Sequence, residues 1–395
     1  MLGCWMVTWN VITEKTFPFS SFDSHLSKGK PSLSQSWSEL TMTHRVGLVG
    51  LRQAKSFIPL FNALPDTEVT ALCDIDEDFL NQVGEESGIE ERFSDYDEFL
   101  KSDITIVSLS TPIQVHGEQS IKALGAGKHA LCQYIAAREE EEANELIQVV
   151  RDSGKKYMMI ETDCYERRNL IMMALAAKGA YGELTFGRGH YIHDCKTLGH
   201  HPDGSLTWRG EQWMIGPGGM SNGVHTCVPL LTVFGERVEE VFSYGPGSRT
   251  LPKFNWSDRV TTAAKLPSGR VLELVTDVLS WHPAVCGYYV QGTRGFFELK
   301  QGAFVEEEKL CPIKDLDQLV EDFGLEDALQ DRGGHTSSWQ AIITEFIDSI
   351  NEDRHPSEDL EIALHITAIG WAADESLQTG MPAKVKSFDL TGINT

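Results

Sequence analysis

Short apolar segments alternate with longer amphipathic segments between about residues 45 and 160. The apolar segments are rich in β-branched residues and the amphipathic ones repeat with the period of a helix, so alternating strands and helices are predicted. Segment 103–109 is almost entirely apolar, as is typical of a strand covered on both faces of a parallel sheet. The pattern predicts strands at 45–49, 68–73, 103–109, 129–132 and 157–160, and helices at 53–64, 77–87, 114–126 and 138–153.

The pattern changes after about residue 165, where long strand candidates follow one another through tight turns such as Pro267–Gly269. Consecutive strands joined by tight turns predict a mostly antiparallel open sheet. The predicted strands cover 183–193, 237–244, 258–266, 270–281, 285–292 and 295–299, and the predicted helices 167–179, 335–351 and 358–378. We therefore expect an α/β chain, with a doubly wound parallel sheet of the Rossmann type over 43–165. An α+β domain with a large, mostly antiparallel open sheet and C-terminal helices is expected over 166–395.

The first 42 residues differ from the rest of the chain. Residues 1–12 are apolar but lack a basic segment and a clear small-residue cleavage site, which argues against a signal peptide. Residues 20–39 are rich in Ser, Lys and Gly. We expect residues 1–42 to form a flexible extension.

Composition narrows the possible partners and the compartment. The net charge of −24 argues against nucleic acid or an anionic membrane surface, because both require a basic face. No apolar run approaches the roughly 18 residues of a membrane span. The eight cysteines form no C-x-x-C pair, so free thiols in a reducing compartment are expected. These features favour a cytoplasmic protein without a structural zinc site.

The first predicted βαβ unit has the outline of a dinucleotide-binding unit. A strand runs into Gly50, and the next strand ends in Asp74, 24 residues later. The glycine fingerprint is incomplete, because Gly47 and Gly50 are present but Arg52 and Lys55 stand where further glycines are expected. Arg52 either pairs with a phosphate oxygen, as guanidinium does well, or is a surface residue of a diverged loop.

Other residues follow the predicted strands at the edge where ligands bind in open α/β sheets. Asp74 either binds the adenosine ribose hydroxyls or caps a helix, and an acid there favours NAD over NADP. The cofactor-binding residues we predict are Gly47, Gly50, Leu51, Arg52, Asp74, Ser110, Thr111, Pro112, His116 and Gln133.

The chain resembles the Gfo/Idh/MocA family of sugar and cyclitol oxidoreductases over about residues 43–390. The matching segments are Arg45–Gly50, Ala71–Asp74, Ser110–Pro112, Ala123–His129 and Gly219–His225. Two further segments, Tyr157–Tyr165 and Gly182–Asp194, are most similar to the branch that contains NAD-dependent α-N-acetylgalactosaminidases. The resemblance implies NAD as the cofactor, a sugar or polyol substrate, and a homodimer or homotetramer formed through the C-terminal sheet.

The chain departs from the family at chemically important positions. Family dehydrogenases carry Glu-Lys-Pro after the fourth strand, whereas this chain has Gln133, Tyr134 and Ile135 and therefore lacks the Lys. Their acids around the catalytic His are replaced by Ser221 and Val228. The glycosidase branch also lacks the Lys, but its Tyr three residues before the His is Asn222 here.

Four residues are the candidates for catalysis. His225 lies where the family's catalytic His lies, and a His can transfer a proton at neutral pH; the alternative is a core His on a helix. Tyr191 would bind substrate or donate a proton, or would be an ordinary strand residue. Glu161 corresponds to an active-site acid of the glycosidase branch, or is a solvated strand end. Tyr134 is a poor base at its usual pKa and would more readily form a wall of the nicotinamide pocket.

The candidates for substrate binding are His193, Asn222, Trp208 and Arg209. His193 shares a strand face with Tyr191. Trp208 and Arg209 would form a platform for a sugar ring, or would pack in the core. Three hypotheses remain for the whole chain: hydride transfer at a secondary hydroxyl of a sugar or cyclitol, a glycosidase with tightly bound NAD, and a non-catalytic sugar- or dinucleotide-binding protein.

Overall fold

The computed structural model describes residues 44–212, 223–252, 257–298, 301–306, 309–312 and 334–393. The predicted extension over 1–42 lies outside these residues.

The first sheet has six parallel strands, in the order β3-β2-β1-β4-β5-β6. Its strands are β1 His44–Val49, β2 Thr67–Cys73, β3 Glu91–Phe93, β4 Ile106–Leu109, β5 His129–Gln133 and β6 Tyr157–Ile160. Every residue of β4 and β6 is buried, as expected for strands covered on both faces. The order reverses between β1 and β4, which confirms the doubly wound prediction and creates a crevice at their carboxyl ends.

Helices cover this sheet. They are α1 Leu51–Ala54, α2 Ile58–Phe61, α3 Glu77–Ser87, α4 Tyr96–Phe99, α5 His116–Gly125 and α6 Glu140–Ser153. The predicted helix at 53–64 begins earlier because Gly50 adopts a left-handed conformation, with φ of 80°, that turns the chain directly into α1. Helix α3 begins where the Asp76 carboxylate accepts the Phe79 N–H, and it ends at left-handed Gly88.

The second sheet has nine strands among the described residues, in the order β14-β13-β12-β11-β7-β10-β9-β8-β15. All neighbouring pairs are antiparallel except β7 and β10, which confirms a mostly antiparallel sheet. Its strands are β7 Leu184–Ile192, β8 Glu240–Tyr244, β9 Val260–Lys265, β10 Val271–Asp277, β11 Val285–Gly292, β12 Gly295–Glu298, β13 Gln301–Glu306, β14 Lys309–Pro312 and β15 Ala383–Lys384.

Five further helices follow in the described part of the chain: α7 Arg167–Ala177, α8 Trp208–Gln212, α9 Val224–Phe234, α10 Gly334–Asn351 and α11 Leu360–Thr379. Helix α9 is buried on nearly every side and lies directly on β7. A side chain at Gly189 would place its Cβ 1.8 Å from the Thr226 carbonyl oxygen, so this glycine permits the close contact. The contact brings His225, in the first turn of α9, over the second sheet.

The C-terminal segment also packs against the first sheet. Trp339 of α10 makes an edge-to-face contact with Phe57, with ring centroids 5.3 Å apart, and Phe346 joins the same buried apolar cluster as Leu48. The Met159 N–H donates to the Glu358 carbonyl oxygen at 2.9 Å. The domain boundary at 165 stays a prediction. Among the described residues, no helix is long and apolar enough to cross a bilayer.

Candidate active site

The carboxyl ends of the parallel strands bring most of the predicted site residues to one edge. Gly50 follows β1, Asp74 follows β2, Ser110 follows β4, and Glu161 follows β6. A Cβ on Gly50 would lie 2.6 Å from the Ser110 carbonyl oxygen, so only glycine lets these two turns meet. Gly47 has another role, because a Cβ there would lie 2.4 Å from the Phe99 ring in the core.

Asp74 is fixed by backbone groups. Its carboxylate accepts the Leu51 N–H at 2.7 Å and the Asp76 N–H at 3.0 Å. Arg52 pairs with Asp76, at 2.8 Å between Nη2 and Oδ2, and its guanidinium lies 4.4 Å from the centre of the Phe79 ring. The loop between β2 and α3 is therefore tied to the glycine turn by side-chain contacts.

Several buried polar atoms along this edge have no hydrogen-bond partner among the described residues. They include Ser110 Oγ and the Gln133 side-chain amide. Thr111 and His116 are engaged with protein groups: Thr111 donates to Gln119 at 2.6 Å, and His116 Nε2 donates to the Thr111 carbonyl at 2.8 Å. Burial lowers the pKa of His116 to about 4, so its ring is neutral. Pro112 is exposed at the same turn.

Buried polar atoms without partners cost free energy unless a ligand or water satisfies them. Ser110 Oγ and the Gln133 amide nitrogen are therefore suited to hydrogen-bond polar groups of an NAD molecule lying along this edge. With Asp74 at the end of β2 and the Gly50 turn, the residues present fit a dinucleotide.

His225 and Glu161 form a buried acid–base pair. His225 Nδ1 lies 3.0 Å from Glu161 Oε1; the Glu161 side chain is fully buried and that of His225 is 12% exposed. Glu161 Oε1 also accepts the Asp163 N–H at 2.9 Å, whereas the buried Glu161 Oε2 has no partner in the part of the chain that the structure describes. The pair joins the end of β6 to the first turn of α9, 64 residues apart in the chain.

The pKa values of this cluster are strongly shifted. Burial alone lowers the pKa of His225, but the charge and hydrogen bond of Glu161 and the charge of Asp163 raise it to about 9. Burial and the Glu161 charge raise the pKa of Asp163 to about 7, against the opposing effect of His225. At neutral pH the cluster therefore holds an imidazolium beside Glu161, and Asp163 titrates in the same range.

The sequence interpretation missed two members of this cluster. Asp163 follows Glu161 at a spacing of two and could have been noticed as a second acid. The Tyr288 hydroxyl donates to Asp163 Oδ2 at 2.9 Å and lies beside the His225 carbonyl oxygen. Donor atoms of Glu161, Asp163 and His225 lie within 4.8 Å of one another, close enough to share a cation. The expectation of no metal site stays a prediction.

Two tyrosine rings enclose His225. The Tyr134 ring meets it edge-on at 4.8 Å between centroids, and Tyr191 stacks on it at 4.7 Å. Tyr134 precedes a cis peptide bond to Ile135. Burial raises the pKa of both hydroxyls above the ordinary value of 10, so both keep their protons. They can donate hydrogen bonds but are poor bases.

The predicted substrate residues are only partly brought together. His193 stacks on Tyr191 at 5.8 Å, and its Nδ1 lies 3.4 Å from Cys195 Sγ. Arg209 lies over the Trp208 ring at 4.1 Å, and burial lowers the pKa of its guanidinium. Asn222 lies outside the described residues.

Family models match most of the described chain. Residues 44–161 match the Gfo/Idh/MocA model described as "Oxidoreductase family, NAD-binding Rossmann fold". Residues 186–385 match the partner model described as "Oxidoreductase family, C-terminal alpha/beta domain".

Curated relatives include proteins named glycosyl hydrolase family 109. One from Streptomyces filamentosus is 28% identical over 292 residues, which is 66% of this chain and 59% of that protein. One from Solibacter usitatus is 23% identical over 386 residues, or 88% of each chain. One from Saccharopolyspora erythraea is 25% identical over 65% of this chain and 62% of its own length. The chain thus spans about 60% of the length of the relatives from Streptomyces filamentosus and Saccharopolyspora erythraea.

Solved structures share the fold. Levoglucosan dehydrogenase, solved with NADH and levoglucosan, has a TM-score of 0.72 and 20% identity, covering 87% of this chain and 100% of that one. Scyllo-inositol dehydrogenase from Lactobacillus casei, solved with NAD(H) and scyllo-inositol, has a TM-score of 0.67 and 18% identity, covering 87% and 99%. At these identities the likeness establishes architecture alone.

Proposed function

Because the chain belongs to the Gfo/Idh/MocA oxidoreductase family, whose first domain is an NAD-binding Rossmann fold, we propose that it is an NAD-dependent enzyme. Its reaction is hydride transfer at a secondary hydroxyl of a sugar or cyclitol-like substrate. The observation that carries this proposal is the His225–Glu161 pair, enclosed by Tyr134 and Tyr191 at the edge of the dinucleotide-binding sheet.

The chain's own residues manage the proton. When bound, NAD supplies the hydride acceptor. His225 uses Nδ1 to contact Glu161, which leaves Nε2 to take the proton of the substrate hydroxyl whenever the ring is neutral, so this step is favoured as pH rises toward the His225 pKa of about 9. The Glu161 carboxylate stabilises the imidazolium that forms and fixes the orientation of the ring. Tyr191, which keeps its proton, can donate a hydrogen bond to the substrate oxygen.

A glycosidase with tightly bound NAD is the second candidate. Two observations favour it: Tyr134 stands where family dehydrogenases have a Lys, and several relatives are named glycosyl hydrolase family 109. In this route the substrate is oxidised next to the carbon that loses a proton, the glycosidic bond breaks by elimination, water adds, and the ketone is reduced again. Asp163, with a pKa near 7 and close to Glu161, would be a second group able to exchange protons.

One set of assays tests both candidates. The purified protein is denatured and its supernatant assayed for NAD(H), and the native protein is then given NAD with a panel of sugars and cyclitols. Net NADH formation supports the oxidoreductase. Release of aglycone from a glycoside panel without net NADH supports the glycosidase.

The same assays test the third hypothesis, a non-catalytic binding protein. Binding of NAD without turnover of either panel would favour it, and absence of any NAD binding would contradict both enzyme proposals. We also expect a cytoplasmic homodimer or homotetramer formed through the second sheet. Light scattering after gel filtration measures the oligomeric state.

A further inference from the structure

Arg52 stands where the fingerprint of a dinucleotide-binding turn calls for glycine, yet its side chain is held in a defined position. Its guanidinium pairs with Asp76 at 2.8 Å and lies 4.4 Å from the centre of the Phe79 ring. Phe79 covers one side of the guanidinium, and 75% of the Arg52 side chain stays exposed. The guanidinium therefore forms a flat cationic surface beyond the end of β2, with the Phe79 ring packed against one of its faces.

Ile75 precedes Asp76, the partner of Arg52, and is 91% exposed, more than the other large apolar side chains exposed in the described ranges. It stands between two anchored residues. Asp74 accepts the Leu51 N–H and the Asp76 N–H, and Asp76 accepts the Phe79 N–H at 3.1 Å. The anchored backbone therefore presents an apolar side chain to solvent beside the acid predicted to bind ribose.

We propose that the adenine ring of NAD lies against the Arg52 guanidinium, with Ile75 contacting the ring from the other side. In open α/β sheets the adenosine half of a dinucleotide lies at the end of the second strand. A purine has flat faces that stack well on a guanidinium plane, and its apolar faces suit an isoleucine. Arg52 thus replaces the missing glycine as an adenine platform.

The geometry favours adenine over phosphate as the partner of Arg52. The guanidinium charge is already shared with Asp76, and Phe79 orients its plane. The same arrangement favours NAD over NADP, because a 2′-phosphate would meet two carboxylates, Asp74 and Asp76, while Arg52 is held by one of them.

Binding titrations test the platform without requiring turnover. NADH and reduced nicotinamide mononucleotide, which lacks the adenosine half, are titrated into wild type, Arg52→Ala and Arg52→Lys, with fluorescence or calorimetry as the readout. We expect both variants to bind NADH about tenfold or more weakly, since a lysine keeps the charge but not the flat surface. Both should bind the mononucleotide as the wild type does.

Lys55 provides a matched control. Its ammonium lies 5.2 Å from the same Phe79 ring and its side chain is exposed, so Lys55→Ala removes one positive charge nearby but leaves the platform. NADH binding should hardly change in this variant. Ile75→Ser should weaken NADH binding and spare the mononucleotide.

Three results would overturn the proposal. Wild-type affinity for NADH in Arg52→Lys would show that charge alone matters, as phosphate pairing requires. Equal weakening of NADH and the mononucleotide would place Arg52 at the other half of the cofactor. Failure of the wild type to bind NADH would refute the platform and the cofactor assignment together, whereas binding without turnover would contradict only the proposed reaction.

Discussion

Two pairs of opposite charge lie along the carboxyl edge of the first sheet, and their separations are nearly equal. Arg52 and Asp76 are 2.8 Å apart beyond the end of β2, and His225 and Glu161 are 3.0 Å apart at the end of β6. The first pair is 75% and 41% exposed, whereas the second is 12% and 0% exposed. Water screens the first pair and is excluded from the second.

Burial, rather than distance, therefore decides what an ion pair can do. An exposed pair contributes little free energy but can hold a side chain in place, which suits a surface that binds a ring. In a buried pair, each charge strongly shifts the pKa of its partner, which suits proton transfer. Substitutions in the His225–Glu161 pair should therefore have much larger effects than substitutions in the Arg52–Asp76 pair.

Replacement of His225 should have the largest effect. His225→Asn removes the proton acceptor, so we expect kcat to fall about a hundredfold to ten-thousandfold. The measurement is turnover of whichever substrate the panels identify. His355→Asn is a matched control, because His355 lies 3.5 Å from Asp359 in a pair remote from this edge, and it should leave turnover unchanged. Retained activity in His225→Asn would remove His225 from the mechanism.

Stability should respond almost as strongly. His225→Ala leaves the Glu161 carboxylate buried without its partner, which costs about 3–5 kcal/mol in the free energy of unfolding at neutral pH. Urea denaturation of wild type and variant measures the difference. A loss below about 1 kcal/mol, the value of an exposed pair, would mean that water reaches Glu161.

The pH dependence of stability follows from the raised pKa of His225. The folded protein holds this proton up to about pH 9, whereas the unfolded chain releases it near 6.5. The stabilisation is therefore complete below about pH 6.5 and is lost as pH rises through 9, a change of about 3 kcal/mol. Urea midpoints across this window should fall in the wild type, and the fall should be smaller in His225→Ala. Parallel curves would contradict the raised pKa.

Loss of the Glu161 charge should move the pH–rate profile. In Glu161→Gln the raising effect of the carboxylate disappears while burial remains, so the pKa of His225 should fall from about 9 toward or below 6.5. The rise of kcat/KM with pH in the oxidative direction should shift to lower pH accordingly. An unshifted profile would assign the titration to another group, such as Asp163.

The exposed pair should give the smallest effect. Arg52→Ala should change the free energy of unfolding by less than about 1 kcal/mol without cofactor, because both side chains are solvated. Asp76→Asn keeps an oxygen able to cap α3 and should behave likewise. Urea denaturation of these variants and of His225→Ala under the same conditions provides the comparison. A loss of unfolding free energy as large as that of His225→Ala would refute the contrast between the exposed pair and the buried pair.

Strands and helices with a clear hydrophobic period could be predicted, because the local order of apolar and polar residues determines them. Strand β6 and helix α3 have the predicted bounds, 157–160 and 77–87. Helix α9 was missed because it is apolar on almost every side and contains Pro229, so no amphipathic period marks it. Strand β3 was missed because three half-buried residues are too short for a period.

Individual residues of the candidate site could be predicted from the sequence, but the contacts between them could not. Glu161 and His225 were each selected from motifs, yet no spacing rule joins residues on β6 and α9. Asp163 was missed although it follows Glu161 at a spacing of two, and Tyr288 was missed because a Tyr in a strand carries no signal of its own. Arg52 was noticed as a missing glycine, but its pairing with Asp76 depends on how two loops meet.

Local periodicity and short motifs were enough to predict the parallel sheet with its main helices, the glycine turn after β1 and the family. The packing of the two sheets, in contrast, sets which charges are buried and which are solvated. Gly189 lets α9 lie on β7, and that contact places His225 beside the buried Glu161, whose charge raises the pKa of His225 against the lowering effect of burial. Burial is a property of the whole packed chain, so the chemistry of this edge could not be read from any segment alone.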